Sequence, residues 1–436
     1  MRAKLKSFAR GIHPPENKEL TAREPIKTAP PPRQVRLLLQ QNLGCPNEPL
    51  VKAGDRVVEG QKIAASAKFI SAPLHASISG QVTSVDKEAI VIAAAEGVST
   101  EAHYVGQWSY EEFTPEQIRQ AVRSAGIVGL GGAAFPTHVK LTPPAGKQIE
   151  TVIINGCECE PYITCDHRLM VERAGDVIYG ARAIAKAVGA SKIIIAIENN
   201  KQDAIKELGA RNTENGTQGG SVEVLQTKYP QGGEKMLIKS LTGKEVPSGG
   251  LPSDIGVVVQ NVGTAVAIAE AVRLGKPLIE RVVTVTGTGV KKPQNLKARL
   301  GTSFRELIEQ CGGLTADAVK VLMGGPMTGI AVPELDLPLL KGNNCLLVMN
   351  KKEAVAYEEK DCIRCGRCIK SCPVGLTPNF LAEFAKLKNW DAAADYRVAD
   401  CIECGCCAYV CPSRIYLVQY FKLAKKELLL KQAVCK

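Results

Sequence analysis

Aromatic side chains make up only 5% of this 436-residue chain. Proteins that hold single-stranded nucleic acid stack bases on aromatics over a basic groove. No basic stretch here is interleaved with aromatics, so nucleic acid is not expected as a partner. No run approaches 18 consecutive apolar residues, so no membrane-spanning helix is expected. No signal-peptide pattern opens the chain, and a disulfide framework of the small secreted kind is therefore not expected either. What remains is a long chain with 45% hydrophobic residues, enough to bury cores in about three or four domains. It carries 16 cysteines and a formal net charge of +11. The positive charge gathers at the two ends, at Arg2, Lys4, Lys6 and Arg10 and at Lys422, Lys425, Lys426 and Lys431. A solvated surface, an anionic membrane face and an acidic redox partner are all compatible with that distribution.

The cysteines are not scattered. Residues 361–373 read DCIRCGRCIKSCP, and residues 400–412 repeat the pattern as DCIECGCCAYVCP. Both are C-x2-C-x2-C-x3-C-P, the spacing of bacterial 4Fe–4S ferredoxin motifs, in which the fourth cysteine ligates the other cluster. The expected ligand sets are Cys362, Cys365, Cys368 and Cys411 for one cluster, and Cys401, Cys404, Cys407 and Cys372 for the second. Structural zinc sites use separated C-x2-C pairs without the following proline. Cys406 is surplus and is expected to be a bystander. Oxygen-sensitive clusters and free thiols point to a reducing cytoplasm.

Upstream, the chain divides by composition and period. Residues 1–34 are rich in proline and charge and suggest an extended arm lying over another surface. Residues 35–115 open with glycine turns and alternating strands, similar to the barrel-sandwich of lipoyl and biotinyl domains. Lys68 is the one nearby lysine that could carry a prosthetic group, but it lacks the usual Asp-Lys or Met-Lys-Met context, so the domain is expected to be a scaffold. Residues 116–275 alternate apolar strands with helical segments, which predicts a doubly wound α/β domain with a mostly parallel sheet. Residues 276–325 suit a small β-grasp, and 326–354 look like a linker. In 355–436, Phe380, Leu381, Phe384 and Leu387 predict one apolar helical face between the motifs, and with it an α-helical ferredoxin. The fold class is thus multidomain, α/β and β, with a helical two-cluster ferredoxin at its end.

Four loops follow strands in the α/β segment, where ligands of such sheets bind. They are GIVGLGGAAFPTHVK at 126–140, NGCECEPY at 155–162, YPQGGEK at 229–235 and QNVGT at 260–264. Glycine turns let backbone N–H groups approach a phosphate, and Lys140 could add a point charge. Each loop alone is equally compatible with an ordinary solvated turn. Their convergence on one sheet edge is the stronger signal.

These four loops resemble the flavin-bearing, NADH-oxidising subunit of respiratory complex I. Together with HPPENKELT at 13–21, VPSGGLP at 246–252, GGPMTG at 324–329 and the double cysteine motif, they make the whole chain similar to the C subunits of Rnf-type ion-pumping ferredoxin:NAD oxidoreductases. The resemblance implies FMN held by Gly129, Gly131, Gly132, Lys140, Asn155, Glu158, Gly232, Gly233 and Asn261. It also implies NAD(H) near Phe135, Glu160 and Glu234. Cys157, Gly233 and Ala134 depart from the complex I pattern, which has an aspartate, a glutamate and a glycine there. The implied partners are membrane subunits of the Rnf type and a ferredoxin-like iron–sulfur subunit, with peripheral contact on the cytoplasmic face of the membrane. Hydride transfer is left to the flavin, so no side chain is nominated as a general acid or base. A corrinoid reductase of diol-degrading microcompartments and a non-catalytic iron–sulfur relay are the alternative readings.

Overall fold

Short runs of valine and isoleucine (VII, IIIAI, VVV) form the parallel sheet at the centre of the α/β domain. The computed structural model describes residues 5–95, 104, 106–214 and 220–434. Within it the sheet order is Gly220–Leu225, Lys192–Glu198, Thr151–Gly156, Val257–Asn261, all parallel. Parallel strands are covered on both faces, which is why these runs are continuously apolar rather than alternating. Helices Ala174–Val188 and Val262–Leu274 cover one face. They pack closely because position 180 is glycine; a Cβ there would lie 1.9 Å from the Ala265 carbonyl oxygen. Leu237 and Ile238 of helix Glu234–Thr242 cover the other face, against Ile153, Ile194, Val257 and Val259. The strand order reverses between Thr151–Gly156 and Val257–Asn261, and a crevice opens at the carboxyl end of such a switch point. Asn155 and Asn261 stand side by side at that edge.

The N-terminal β domain consists of an antiparallel sheet of Gln34–Leu38, Ala89–Ala94, Gly80–Val85 and Arg56–Val57, and a second of Glu48–Pro49, Lys62–Ala65 and Leu74–His75. Lys68 lies in the turn between the last two strands. That turn is docked on the α/β domain: the Phe69 ring meets His138 edge-on at 5.3 Å, and the Phe69 carbonyl lies 2.9 Å from His138 Nε2. It is a domain contact rather than a free hairpin tip.

The third sheet corrects the segment boundaries. It is six-stranded, in the order Ile26–Thr28, Gln294–Arg299, Glu280–Thr286, Cys345–Asn350, Ala318–Met323, Ile330–Ala331. Residues 326–354 are therefore not a linker. Cys345–Asn350 lies inside the sheet, parallel to Glu280–Thr286 and antiparallel to Ala318–Met323, with Leu346, Leu347 and Val348 fully buried. A short apolar run set among glycine, proline and asparagine has no period long enough to mark it. The arm supplies the edge strand Ile26–Thr28, and helix Phe304–Gln310 packs on the sheet behind a capping box at Ser303.

The C-terminal domain is helical, with Arg367–Ser371, Pro378–Lys386, Trp390–Asp395, Cys406–Tyr409 and Leu417–Val434. Its core is Leu381, Ala385, Ala393, Val398, Leu417 and Phe421. The expected apolar face is only partly internal. Leu381 is buried, whereas Phe380 and Leu387 are 43% and 72% exposed. The buried face of Pro378–Lys386 runs through Leu381, Ala382 and Ala385 instead, so small alanines let helix Leu417–Val434 approach.

Lys341 joins the domains. Its fully buried ammonium donates to the carbonyls of Pro73 and Gly126, both at 2.7 Å, and its backbone N–H donates to Gln41. Burial pulls its pKa down to about 7. Replacing it with methionine leaves two buried carbonyls without a donor. The expected cost is about 2 kcal/mol, seen as a thermal unfolding midpoint several degrees below wild type.

Candidate functional site

The switch-point crevice is walled by the four loops. The first is a closed turn: Gly129 N–H donates to the Phe135 carbonyl at 2.9 Å, and Leu130 N–H donates to Thr264 Oγ1 at 2.9 Å. Gly131 and Gly132 stand exposed at its tip. A Cβ at Gly131 would press on the Asn261 side chain at 3.3 Å, whereas Gly132, at φ 130°, has no atom within 4 Å of that position. The tip therefore presents bare backbone to open space. Lys140, one turn further on, donates to Glu234 at 2.7 Å and to the Val259 carbonyl at 2.7 Å.

The other expected flavin residues are tied into the protein. Asn155 Nδ2 donates to the Gly232 carbonyl at 2.8 Å, which fixes the second loop to the third. Gly232 N–H reaches Cys159 Sγ at 3.2 Å, and a side chain at Gly232 would strike Cys157 and Cys159. Gly233 N–H closes the same turn on the Pro230 carbonyl. Asn261 caps helix Val262–Leu274, accepting from Gly263 N–H at 2.8 Å while donating to Asp166 Oδ2 at 2.5 Å. Glu158 accepts the N–H groups of Asp166 and His167, at 2.7 and 3.1 Å, and so caps the short helix Cys165–Glu172. Burial, with the Glu158 charge beside it, raises the Asp166 carboxyl to about 7. Nothing in the local sequence pattern marks Asp166 as lying beside Asn261.

Of the three residues expected near nicotinamide, one diverges from the other two. Phe135 is half-buried in the first loop, and Glu234 faces the crevice paired with Lys140. Glu160 turns the other way. It accepts the N–H groups of Met327 and Thr328 at 2.7 and 3.2 Å and lies against Gly325. Its carboxylate is thus used to fasten the 324–329 loop, and burial raises its pKa.

The crevice suits FMN. A glycine turn facing open space, a lysine held by Glu234 and the Val259 carbonyl, and side-chain amides fixed at Asn155 and Asn261 are compatible with a phosphate-bearing planar ligand. Gly131, Gly132 and Lys140 would meet the phosphate. Asn155, Glu158, Gly232, Gly233 and Asn261 would hold the shape around it.

The second loop is held from behind by the arm. Lys18, 7% exposed, donates to the carbonyls of Glu158 at 2.8 Å, Glu160 at 2.9 Å and Ile163. Lys201, also buried, holds the Cys157 carbonyl at 2.6 Å. Lys18 carries no sequence signal, since its acceptors are backbone groups far along the chain, whereas Lys201 is also held by its neighbours Asn200 and Glu198.

The cysteine motifs separate into an inner and an outer set. Cys362, Cys365, Cys368 and Cys411 line one cavity. Cys372, Cys401, Cys404 and Cys407 lie close enough to couple electrostatically, around a more buried centre. Cys406 lies among the inner cysteines as well, and four thiolates around one space would fit a 4Fe–4S cluster of the kind the motif spacing implies. The inner motif abuts the third loop and the 246–252 segment. Tyr229 Oη donates to the Cys404 carbonyl at 2.7 Å, and Ser248 Oγ donates to Asp400 at 2.7 and 2.8 Å. Tyr229, Cys406 and Ile12 form one small core with Cys159, Met327 and Cys404 at its edge. Cys406 is therefore part of the domain contact and more than a bystander.

Two outcomes are expected. Lys18→Met, which removes three hydrogen bonds to the loop, should weaken flavin retention about tenfold or more while iron content is unchanged. Cys372→Ala should remove the inner cluster and leave the outer, halving iron per chain; equal damage to both would contradict the crossed ligand sets.

Comparison with known proteins agrees with this layout. Residues 6–101 match the RnfC barrel sandwich hybrid domain, 122–270 the Nuo51 FMN-binding domain, 282–331 the SLBB domain and 354–412 the 4Fe–4S dicluster domain. The C subunit of the proton-translocating ferredoxin:NAD(+) oxidoreductase complex of Clostridium ljungdahlii is 44% identical, over 87% of this chain and 84% of its own. The Na(+)-translocating counterpart of Acetobacterium woodii is 42% identical over 98% of both chains. Among solved structures, a chain of an NAD+-reducing NiFe-hydrogenase in the H2-reduced state shares the fold. Its TM-score is 0.53 and its identity 22%, over 70% of this chain and 61% of that one. This chain belongs to the family of C subunits of ion-translocating ferredoxin:NAD(+) oxidoreductase complexes.

Proposed function

We propose that this subunit exchanges electrons between NAD(H) and the other subunits of its complex through FMN and two 4Fe–4S clusters. The observation that carries the reading is the direct seating of the inner cysteine motif on the third flavin loop through Tyr229, with Ser248 and Met327 of neighbouring segments beside it. FMN, when bound, supplies hydride chemistry with NAD(H) and the conversion between electron pairs and single electrons that the clusters carry.

The protein's part is binding and placement. Lys140 is held by Glu234 and the Val259 carbonyl. A phosphate bound near Lys140 would offer the ammonium a stronger, doubly charged partner and would free the Glu234 carboxylate. Asn155 and Asn261, fixed by Gly232 and Asp166, keep the crevice from collapsing. Lys18 and Lys201 hold the second loop's carbonyls away from the ligand, so its backbone cannot relax into the space.

Among the described residues no helix is long and apolar enough to cross a membrane. Ion translocation, named in the relatives' descriptions, would then belong to membrane-spanning partners, with this chain peripheral at the cytoplasmic face. A ferredoxin-like iron–sulfur subunit is the partner we expect to exchange electrons with it. The charged ends offer less free charge for a membrane than their sequence suggests. Lys6 pairs with Glu223, Lys425 and Lys422 with Glu403, and Lys431 with Asp391, while Arg2 and Lys4 lie outside the described residues. The near full-length match to oxidoreductase-complex subunits does not favour a corrinoid reductase.

Anaerobically purified protein should hold one flavin and about eight iron atoms per chain and reduce a dye with NADH. Lys140→Met should weaken flavin binding about tenfold. A preparation rich in iron but without flavin or NADH oxidation would favour a pure iron–sulfur relay and sink this reading.

A further inference from the structure

The two copies of the cysteine motif share a backbone but not an environment. Arg364 and Glu403 occupy the same step of the loop, with φ of 54° and 55°. Gly366 and Gly405 follow at 71° and 80°. Their charge is opposite. From Asp361 to Cys372 the outer copy carries three cations (Arg364, Arg367 and Lys370) against one anion. From Asp400 to Cys411 the inner copy carries two anions and no cation.

The inner copy is covered by its own chain. Glu403 is paired with Lys425 at 2.7 Å, and the Cys404 carbonyl accepts from Tyr229. A Cβ at Gly405 would meet the Met327 carbonyl at 2.9 Å, and Cys406 is fully buried. Every equivalent position of the outer copy is open. Ile363 is 68% exposed, and Cys362 and Cys365 are exposed with it. Gly366 has no atom within 4 Å of a would-be Cβ. Arg367, at the position of Cys406, projects into solvent, as do Arg364 and Lys370. Among the described residues none of these three cations has a carboxylate partner, whereas their inner counterpart Glu403 has two lysines. Arg414, stacked 4.2 Å over the Tyr357 ring, extends the basic rim on the far side of Cys411.

We infer that this open face, Ile363 ringed by Arg364, Arg367, Lys370 and Arg414, is the docking site for an acidic protein surface that carries a one-electron centre. The inference rests on the electron-exchange role proposed above and names the chemistry of the partner that role requires. An apolar centre inside a charged rim is the ordinary anatomy of a protein interface. Opposite charge on the partner would steer the encounter and make it sensitive to salt. An anionic membrane could also neutralise the arginines, but it cannot take an electron from ligands as exposed as Cys362 and Cys365. The chain shields its inner motif with three of its own segments and leaves the outer one for another molecule to cover.

The test uses the full chain, co-expressed with the subunits of its complex and carrying Arg367→Glu and Lys370→Glu. Neither residue is a ligand or lies near the flavin crevice. Iron content and NADH oxidation with a neutral quinone should match wild type. The variant should leave the complex at lower salt in a graded-salt wash, and electron transfer from NADH into the complex should fall about tenfold at low ionic strength. Should charge reversal disturb the cluster, Arg367→Gln with Lys370→Gln removes the charge alone, and the same direction of change is expected. Wild-type retention and wild-type salt dependence in both variants would overturn the inference. So would a loss confined to sedimentation with phosphatidylglycerol vesicles, which would make the patch a lipid site. A wild-type chain that oxidises no NADH would instead defeat the electron-exchange role, while the salt-graded retention would still report on docking.

Discussion

The carbonyl oxygens of Glu158, Glu160 and Ile163 all point at one ammonium group, that of Lys18. A buried charge without acceptors is too costly to keep, and a loop with three inward carbonyls is too costly without a donor. Each condition resolves the other, and much of the protein follows from that exchange. The loop so fixed carries Cys159 to the Gly232 turn, Glu158 to the head of helix Cys165–Glu172 and Glu160 to the 324–329 loop. Met327 in that loop then roofs the inner cysteine motif. One lysine in the arm thereby sets the mutual positions of the flavin crevice, the β-grasp loop and the inner cluster. Lys341 repeats the device at the other end of the α/β domain, where it joins the barrel-sandwich to the first glycine loop.

The repeat at the C-terminal end puts one motif to two purposes. Its backbone course is the same twice, with matching left-handed steps at Arg364 and Glu403 and at Gly366 and Gly405. What differs is the set of side chains that point away from the cluster: a glutamate and a cysteine where the motif faces inward, two arginines where it faces out. An electron path is given a direction in space by that difference. The end beside the flavin is dry and crowded, and the end away from it is wet and charged.

Much of this is legible from sequence because it is written in local pattern. Cysteine spacing and a following proline identify a cluster motif without reference to the rest of the chain. Runs such as Ile193–Ile195 and Val257–Val259 announce parallel strands, and loops after such strands announce a ligand edge. The parts that are not legible depend on distant partners. Lys18 sits in a proline-rich arm, and nothing near it hints at acceptors 140 residues away. Cys345–Asn350 is too short to show a period and looks like linker until the sheet surrounds it. Phe380 and Leu387 obey helical spacing yet stay exposed, because the helix buries its alanines instead. Glu160 has the chemistry of a ligand contact but spends it on backbone N–H groups. Which of two nearly identical motifs faces the flavin is decided by the domains packed around them.

The arm's place in the chain has a consequence for how the protein is made. Ile12 pairs with Tyr229, Gly11 N–H bonds the Ser371 carbonyl, and Ile26–Thr28 lies along Gln294–Arg299. These partners thus lie more than 200 residues further along the chain. Contacts this remote in sequence close slowly, and the arm must wait with its polar groups in water until the ferredoxin domain exists. Folding of the α/β domain around Lys18 does not need the stitch from Gly11 to Ser371, which lies next to Cys372, an expected ligand of the inner cluster. Closure of the arm at Ser371 therefore adjoins the position at which Cys372 would meet the inner cluster.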